Sequence, residues 1–256
     1  MKKFKTKKHL GQHLLISEGV LNKIADELEV SIEDTIVEIG VGTGQLTEAI
    51  LKKNPKILYG IEIDKTAYPL IKERFKSYKN FFLIEEDFFK VNLKNLSKGK
   101  KIKITGNLPY NIASHIIIKT VENIDIIQLA VFMVQKEVGE KLTAKPNTKN
   151  YSFLSVFVQT FFEVKYVMSV PARFFKPPPK VTSAVIKMIP KDKKQIENIE
   201  EYKEFLSNMF SNKRKMLKSK ISTDILKKAG IKETVRAQEL SIEDFINLYR
   251  ISTKNI

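Results

Sequence analysis

The chain has 256 residues, of which 43% are hydrophobic, and this suffices for one large domain, or one large and one small, with a proper core. It contains no cysteine, which excludes disulfide bonds and thiolate metal sites. The net charge of +16 predicts a polyanionic partner, and we favour nucleic acid over an anionic membrane or a merely solvated, lysine-rich surface.

The amino-terminal segment bears on where the protein works. Its basic start is interrupted by Gly11-Gln12-His13 before any long apolar segment, so it does not resemble a secretory signal. In the sequence, no apolar run reaches the length of a membrane span. We therefore expect a soluble, cytoplasmic protein with no membrane partner.

The first 150 residues alternate between strand and helix patterns. Ser17 can cap a first helix. The apolar face of that helix comprises Val20, Leu21, Ile24, Ala25 and Leu28. The predicted strands are 35–39, 57–63, 80–84, 101–105 and 126–134, and the predicted helices among and after them are 46–51, 66–75, 112–121 and 136–143. This alternation predicts an α/β fold with a parallel sheet covered on both faces.

After residue 150 the pattern changes. Residues 152–160 are apolar all round and fit either a helix or a strand. Residues 163–170 and 181–189 look like two β segments with no helix between them. Two such segments predict an antiparallel pair at the sheet edge.

A domain boundary is predicted at the polar stretch 190–194. It divides the chain into a first domain, 1–190, and a second, 191–256. In the second, Gly230 can stop one helix, and Ser241 with Asp244 resembles a capping box for the last. The apolar residues that keep helical spacing before Gly230 are Tyr202, Phe205, Leu206, Met209, Phe210, Leu217 and Ile221.

A glycine-rich turn at residues 40–44 lies between the strand 35–39 and the next helix. Glycines there let the backbone approach a ligand without a clashing Cβ. A dinucleotide fingerprint needs G-x-G-x-x-G, but here the glycines are Gly40, Gly42 and Gly44. The third glycine is out of register for a pyrophosphate, so the turn favours another nucleotide-like cofactor.

Acidic residues follow the next two strands. A carboxylate at Glu62 can accept both hydroxyls of a ribose. Asp87 could accept a hydrogen bond from an adenine N6 amine, and Phe88 could lie against the ring. Merely solvated acids are the alternative, but Gly, Glu and Asp at three successive strand ends favour a ligand crevice.

The segment Asn107-Leu108-Pro109-Tyr110 follows the fourth strand at the same edge. The Asn107 side-chain oxygen and the Leu108 carbonyl offer two acceptors for the N–H groups of an exocyclic adenine amine. Tyr110 can stack on a base that has left its own stack, and Phe175 could close the other side. An ordinary proline turn and a core phenylalanine are the alternatives. With the glycine turn, this set predicts methyl transfer from S-adenosylmethionine (SAM) onto an adenine amino group.

Along almost its whole length the chain resembles the ribosomal RNA adenine dimethyltransferases, the KsgA/Dim1 family. The matching segments are 10–15, 38–44, 62–64, 87, 107–110, 170–185, 213–217 and 236–241. The resemblance implies a Rossmann-like, SAM-dependent methyltransferase sheet with a small all-helical, RNA-binding C-terminal domain. It also implies dimethylation at N6 of two adjacent adenosines in the 3′-terminal hairpin of small-subunit (16S) rRNA, with the 30S precursor as partner.

The family pattern assigns roles to individual residues. The residues that it implies for the SAM site are His13, Leu15, Gly40, Glu62, Asp87 and Asn107, to which we add Gly42, Ile63 and Phe88. The catalytic set comprises Asn107, Leu108, Tyr110 and Phe175. Two positions depart from the pattern, since His13 stands where the family usually has Asn and Val41 where it usually has Pro. We expect a monomer without a metal.

Three alternative functions are open from the sequence. A large-subunit (23S) rRNA adenine methyltransferase of the macrolide-resistance type shares the chemistry of Asn107 to Tyr110, but the matches at 213–217 and 236–241 favour the small-subunit enzyme. A non-catalytic ribosome assembly factor would keep the fold without needing Asn107. An NAD-dependent oxidoreductase would need the third glycine in another register and a His or Tyr for hydride chemistry.

Two clusters of basic residues concentrate the positive charge. The amino-terminal cluster comprises Lys2, Lys3, Lys5, Lys7 and Lys8, and the carboxy-terminal cluster comprises Lys213, Arg214, Lys215, Lys218 and Lys220. We expect both clusters to contact RNA phosphate groups.

Overall fold

The computed structural model describes residues 13–192, 195–212 and 215–253. The amino-terminal basic cluster, the matching residues 10–12, and Lys213 and Arg214 lie outside these ranges. Of the helices within the ranges, none is both long and apolar enough to cross a membrane.

Within the described ranges the chain forms nine strands and ten helices. The strands are β1 (Leu14–Leu15), β2 (Thr35–Ile39), β3 (Ile57–Glu62), β4 (Phe81–Glu85), β5 (Ile102–Asn107), β6 (Ile127–Gln135), β7 (Phe162–Val170), β8 (Phe175–Lys176) and β9 (Ser183–Pro190). The helices are α1 (Glu18–Glu27), α2 (Gln45–Leu51), α3 (Tyr68–Phe75), α4 (Leu93–Ser97), α5 (Ala113–Glu122), α6 (Lys136–Leu142), α7 (Phe153–Phe161), α8 (Ile199–Phe210), α9 (Thr223–Lys228) and α10 (Ile242–Thr253).

Seven strands form one sheet in the order β4-β3-β2-β5-β6-β9-β7. The pairs from β4 to β6 are parallel, as the alternation of strands and helices predicts. Strand β9 runs antiparallel to β6, and β9 and β7 are neighbours at that edge. The chain winds outward from β2 to β4 and then returns to add β5 on the other side of β2. The carboxyl ends of β2 and β5 therefore flank the switch point where open α/β sheets bind ligands.

Helix α1 shows how the sequence pattern becomes packing. The apolar residues predicted for one face, from Val20 to Leu28, are all buried, and Ile24 and Leu28 are 0% exposed. Burying one such side chain contributes about 1.5–3 kcal/mol. The same cluster contains Ile36 from β2, Ile50 from α2 and Leu58 from β3. The helix thus fixes the strands that carry the glycine turn.

The two short strands β1 and β8 form a separate antiparallel pair. Leu14 pairs with Lys176 and Leu15 with Phe175, and the Ile16 N–H donates to the Phe174 carbonyl at 2.8 Å. Nothing in the local sequence predicts this pair, because each strand has two residues and the partners are about 160 residues apart. It holds the segment that contains His13 against the segment that contains Phe175.

The ambiguous segment 152–160 is helical. It forms α7, whose start is fixed by a hydrogen bond from the Ser152 N–H to the Ser155 hydroxyl at 3.0 Å. Strand β7 begins directly after the helix, at Phe162. The pattern is apolar all round because other elements cover α7 over most of its surface. Phe157, in the middle of the helix, is 0% exposed.

The chain divides into two compact units, Met1–Gly139 with Lys165–Pro190, and Glu140–Val164 with Lys191–Ile256. The first contains the sheet strands from β2 to β6 and β9. The second contains α7 to α10, so residues 140–164, which the sequence assigned to the first domain, cluster with the carboxy-terminal helices. The functional division at residue 190 stays a prediction.

In the second unit an aromatic core joins α7, α8 and α10. The Tyr202 ring makes edge contacts with Phe161 and Tyr249 at centroid distances of 6.2 and 5.1 Å. The Tyr151 hydroxyl donates to the Leu240 carbonyl at 2.9 Å. The predicted capping box is confirmed, since the Asp244 N–H donates to the Ser241 hydroxyl and the Ser241 N–H to the Asp244 carboxylate.

The helical spacing from Tyr202 to Ile221 does not correspond to one helix. Helix α8 ends at Phe210, and Leu217 lies in a short 3₁₀ turn. The Lys220 ammonium donates to the Asn208 carbonyl at 2.7 Å and to the Ser211 hydroxyl. A cation near the last turn of a helix interacts favourably with its exposed carbonyl groups, and here it ties the returning chain to the end of α8.

Candidate active site

The three glycines of the turn after β2 adopt left-handed backbone conformations. Gly40, Gly42 and Gly44 have φ angles of +75°, +59° and +86°, a region that residues with a Cβ rarely adopt. The Gly40 N–H donates to the Ile61 carbonyl at 2.9 Å. The turn is therefore tied to β3 and leaves the end of β2 open to a ligand.

Glu62 ends β3 and connects that strand to the turn. Its side chain is 4% exposed, and its two oxygens accept from the Gly42 N–H at 2.7 Å and the Asp64 N–H at 2.8 Å. Burial raises the pKa of Glu62, while the backbone hydrogen bonds act to lower it. A carboxylate oxygen has two lone-pair directions, so Glu62 keeps acceptor capacity for hydroxyl groups beside these backbone hydrogen bonds.

A short 3₁₀ turn, Phe88–Lys90, follows β4 and carries the third predicted element of the cofactor site. The Asp87 carboxylate accepts from the Phe89 N–H at 2.9 Å and so begins the turn. Phe88 is 4% exposed, whereas Phe89 is 41% exposed. One ring is thus packed into the protein, and the next is available to a ligand.

Asn107 is the last residue of β5 and lies across the switch point from the glycine turn. Its side-chain N–H donates to the His13 carbonyl at 2.7 Å. An amide nitrogen held in this way leaves the Asn107 Oδ1 atom as the acceptor that faces elsewhere. The contact spans 94 residues of sequence and depends on the β1–β8 pair.

Tyr110 is held by contacts on its ring and on its hydroxyl. Its ring stacks with the His13 ring at a centroid distance of 5.6 Å and an interplanar angle of 25°. Its hydroxyl lies 2.6 Å from the buried Ser183 hydroxyl, and burial raises the pKa of Tyr110. The His13 Nδ1 atom lies 2.9 Å from the Pro177 carbonyl oxygen. Tyr110 therefore presents a neutral, oriented ring.

A cavity of about 300 Å³ brings most of the predicted site residues together. The predicted residues that line it are His13, Gly40, Gly42, Glu62, Ile63, Asp87, Phe88, Asn107, Leu108 and Tyr110. The sequence reasoning missed Phe89, which also lines the cavity and whose position next to Phe88 could have indicated it. It also missed the apolar wall formed by Ile112, directly before α5, and Ile116, in the first turn of that helix.

Two predicted residues lie outside this cavity. Leu15 is 4% exposed and instead lines a smaller cavity of about 40 Å³ beside the glycine turn. Phe175 is 3% exposed and belongs to the hydrophobic core, because its backbone pairs with Leu15 in the β1–β8 pair. The geometry gives Phe175 a packing role, and its stacking on a base stays a prediction that this position does not favour.

The smaller cavity contains a buried acid that the sequence reasoning did not assign. Glu38 is 1% exposed, and its carboxyl group accepts from the Thr47 hydroxyl at 2.6 Å. Burial raises the pKa of Glu38 to about 8. Asn107 and Gly40 line both cavities, so Glu38 adjoins the same site.

The chemistry of the larger cavity fits SAM better than a dinucleotide. Of the described residues that line it, three are acidic (Glu62, Glu86 and Asp87) and none is Lys or Arg. A pyrophosphate would meet no cationic side chain there, whereas a cationic sulfonium and a ribose would meet acceptors. The volume also falls at the lower end of the range of small-molecule sites.

Known proteins are similar to this chain over almost its whole length. The family model of the ribosomal RNA adenine dimethylases matches residues 3–254. The ribosomal RNA small subunit methyltransferase A of Persephonella marina is 64% identical over 97% of this chain and 94% of that protein. The crystal structure of a dimethyladenosine transferase from Plasmodium falciparum superposes with a TM-score of 0.82 at 30% identity, covering 95% of this chain and 99% of that chain.

A more distant structure shares the fold. The crystal structure of the 23S rRNA methyltransferase ErmE has a TM-score of 0.72 at 23% identity, covering 93% of this chain and 98% of that chain. The predicted Rossmann-like methyltransferase fold is confirmed by these structures and by the observed sheet. Because its family model and its relatives extend over nearly every residue, this chain belongs to the ribosomal RNA adenine dimethylase family.

Proposed function

We propose that this chain uses SAM to dimethylate N6 of two adjacent adenosines in the 3′-terminal hairpin of small-subunit (16S) rRNA. The observation that carries the proposal is that the oriented Asn107 amide and the Tyr110 ring line the same acidic cavity. The small-subunit assignment rests on the 64% identical relative, a ribosomal RNA small subunit methyltransferase.

Asn107 and Leu108 would hold the target amine. An adenine amine is a poor nucleophile because its lone pair is delocalised into the ring. The Asn107 Oδ1 atom and the Leu108 carbonyl, each accepting one amine N–H, would favour a tetrahedral nitrogen with an available lone pair. Such fixed dipoles require no reorganisation during the reaction.

Tyr110 would hold the base itself. An aromatic ring supports a flipped base by stacking, and the hydrogen bond between Tyr110 and Ser183 fixes the ring plane. His13 stacks on one face of the Tyr110 ring, so the base would stack on the opposite face. This arrangement would align the amine with the methyl donor, and alignment of this kind supplies much of the catalysis.

SAM, when bound, supplies a methyl group on a positively charged sulfur. The residues proposed to hold it are His13, Leu15, Gly40, Gly42, Glu62, Ile63, Asp87, Phe88 and Asn107. Glu62 would accept the ribose hydroxyls, and the Asp87 carboxylate would accept from the adenine amine. No residue is required as a base, because the ammonium formed when the amine takes up the methyl group is acidic and loses its proton to water.

Ribosomal RNA as substrate follows from the family, and the finer points are proposals. We propose that the protein acts as a monomer in the cytoplasm, without a metal, on rRNA in the 30S precursor. The net charge of +16 supports a polyanionic partner, and the exposed Lys215 and Lys218 belong to the carboxy-terminal cluster that we expect to contact phosphate.

The alternative functions have weaker support. The 23S rRNA methyltransferase structure is 23% identical, against 64% for the small-subunit relative. A non-catalytic assembly factor would not need the contact between Asn107 and His13. A dinucleotide would find no cationic side chain among the described residues of the cavity.

A primer-extension map tests the substrate assignment. Ribosomal RNA from cells that lack this modification would be treated with the protein and SAM and then reverse-transcribed. The proposal predicts stops at two adjacent adenosines near the 3′ end of small-subunit RNA. Stops found only in large-subunit RNA would move the protein to the large-subunit group.

A further inference from the structure

A lysine on α5 holds the turn that follows β4. The Lys119 Nζ atom lies 2.7 Å from the Phe88 carbonyl oxygen, 2.9 Å from that of Phe89 and 3.1 Å from that of Val91. A lysine ammonium has three N–H donors and no acceptor. All three donors of Lys119 are therefore directed at the backbone of this one turn, about 30 residues away in sequence.

The same ammonium group contacts both aromatic rings of the turn. It lies 4.7 Å from the centroid of the Phe88 ring and 5.8 Å from that of the Phe89 ring, distances typical of cation–π contacts. Burial lowers the pKa of Lys119, and the negative charges of Asp87 and Glu122 act in the opposite direction. Three carbonyl acceptors are satisfied only by the protonated form.

The turn needs this support because it is short and lines the cavity. A 3₁₀ segment of three residues has weak internal hydrogen bonds, such as the one from the Val91 N–H to the Phe88 carbonyl at 3.2 Å. Asp87, Phe88 and Phe89 all line the cavity proposed for the cofactor. A shift of this turn would move the carboxylate and both rings together.

Helix α5 connects this turn to the catalytic segment. It begins at Ala113, three residues after Tyr110, and Ile116 on the same helix lines the cavity. Lys119 lies one turn further along. The segment from Asn107 to Tyr110, which we propose to hold the adenine, and the turn after β4 are therefore both attached to α5.

We propose that Lys119 is a positioning residue, which holds the turn after β4 so that Asp87, Phe88 and Phe89 can bind the adenine end of the cofactor. The proposal rests on the proposed function only for the identity of the cofactor. It predicts that replacing Lys119 weakens binding of the adenosine part of the cofactor and leaves the residues around the transferred methyl group unaffected.

Calorimetry with S-adenosylhomocysteine, which cannot react, tests this role. Lys119→Met keeps the apolar stem and removes the charge and all three donors. Lys90→Met is the matched control, since Lys90 lies in the same turn with a 72% exposed side chain and an ion-pair distance of 3.8 Å to Glu86. We expect about tenfold weaker binding for Lys119→Met, the effect of losing one hydrogen bond to a charged group. For Lys90→Met we expect a change of less than about twofold, as for an exposed ion pair.

A second ligand separates local positioning from general distortion. Adenosine, measured by competition, should lose the same factor as S-adenosylhomocysteine, because the turn contacts only the part that the two ligands share. In steady state, KM for SAM should rise while kcat at saturating SAM stays unchanged. Equal losses in Lys119→Met and Lys90→Met, wild-type affinity in Lys119→Met, or a loss confined to S-adenosylhomocysteine would each overturn the proposal.

Lys119→Arg covers the case in which Lys119→Met does not fold. Arginine keeps the charge, but its planar fork cannot direct three N–H groups at three converging carbonyls. We expect weaker adenosine binding in this variant too, and unchanged binding would contradict the proposal. If the wild-type protein bound no S-adenosylhomocysteine at all, the cofactor assignment itself would fail, which is a distinguishable result.

Discussion

The orientation of Asn107 depends on a residue that is far away in sequence. The His13 carbonyl accepts one side-chain N–H of Asn107, and the His13 ring stacks on Tyr110. His13 thus contacts both residues that we propose to hold the adenine. The sequence identified all three residues for the site, but it could not indicate that His13 acts on the catalytic side as well as on the cofactor side.

A series of substitutions at Tyr110 separates its ring from its hydroxyl. Tyr110→Ala removes the stacking surface, and we expect KM for RNA to rise about tenfold, since stacking contributes about 1–3 kcal/mol per base. Tyr110→Phe keeps the ring and loses only the contact with Ser183, so its KM should rise by less than about fivefold. Steady-state kinetics with varied RNA checks this order. Equal effects of the two substitutions would contradict a stacking role.

Glu38 should make the stability of the protein depend on pH. Its pKa is raised by burial from 4.5 to about 8, so between these values the unfolded chain releases a proton that the folded chain keeps. Stability contributed by the neutral carboxyl is present below pH 4.5 and is lost as the pH rises towards 8. Glu38→Gln keeps an acceptor for Thr47 but cannot titrate. Urea unfolding should give a flatter decline from pH 5 to pH 8 in the variant.

The control for Glu38 is an exposed acid. Glu33 has a side chain that is 75% exposed, and Glu33→Gln should leave the wild-type dependence of the unfolding free energy on pH unchanged. If the free energies of unfolding of Glu38→Gln and wild type declined in parallel with pH, the claim that Glu38 is buried as a neutral carboxyl would be wrong. Some decline remains expected in the variant, because burial also raises the pKa of Glu62.

The elements that form the site differ in how far local sequence determines them. Strands β2 to β6 and helices α1 to α3 are predictable because their apolar periodicity is strong. The β1–β8 pair and the five-residue helix α4 carry no such pattern, since contacts with distant residues determine them. Phe175 was expected to stack on the adenine base because its local sequence gives no sign of the strand pairing that buries it. Its neighbourhood is set by pairing with Leu15, which lies outside the local sequence.

The glycine turn offers a test of backbone shape. Gly44 has φ +86°, and a Cβ there would overlap the ring of Phe75, so Gly44→Ala should lower the free energy of unfolding by more than about 1 kcal/mol. Gly19 in α1 has open space around its Cβ position, and Gly19→Ala should raise that free energy by about 0.5 kcal/mol. Chemical denaturation measures both. A Gly44→Ala protein as stable as wild type would contradict the described turn.

For the molecule as a whole, positive charge is the main signal of its partner. The charge of +16 can be counted from the sequence, whereas the places where basic side chains meet an RNA depend on the folded structure. The cavity contrasts with this surface, because its charged side chains are acidic. The positive net charge suits an RNA phosphate backbone, and the acidic cavity suits a positively charged sulfonium.

The salt dependence of RNA binding tests the role of the carboxy-terminal cluster. Replacing Lys213, Arg214 and Lys215 by Gln should lower the slope of log K against log salt by about 2, since each phosphate contact contributes about 0.7–0.9. The control replaces three other lysines, Lys52, Lys53 and Lys56. They lie between α2 and β3, at the amino ends of the parallel strands, whereas the cavity lies at the carboxyl ends. If both triple variants changed the slope equally, net charge rather than the cluster would be responsible.

The most direct test of the central claim is methyl transfer to small ribosomal subunits from cells that lack the modification. The subunits would be incubated with labelled SAM and either the wild-type protein or Asn107→Ala, and the modified nucleoside would be identified by mass. We predict N6-dimethyladenosine with wild type and at least about a hundredfold lower rate with the variant, as when a fixed polar contact to the reacting group is lost. Equal transfer by both proteins, or no transfer by either, would contradict the account.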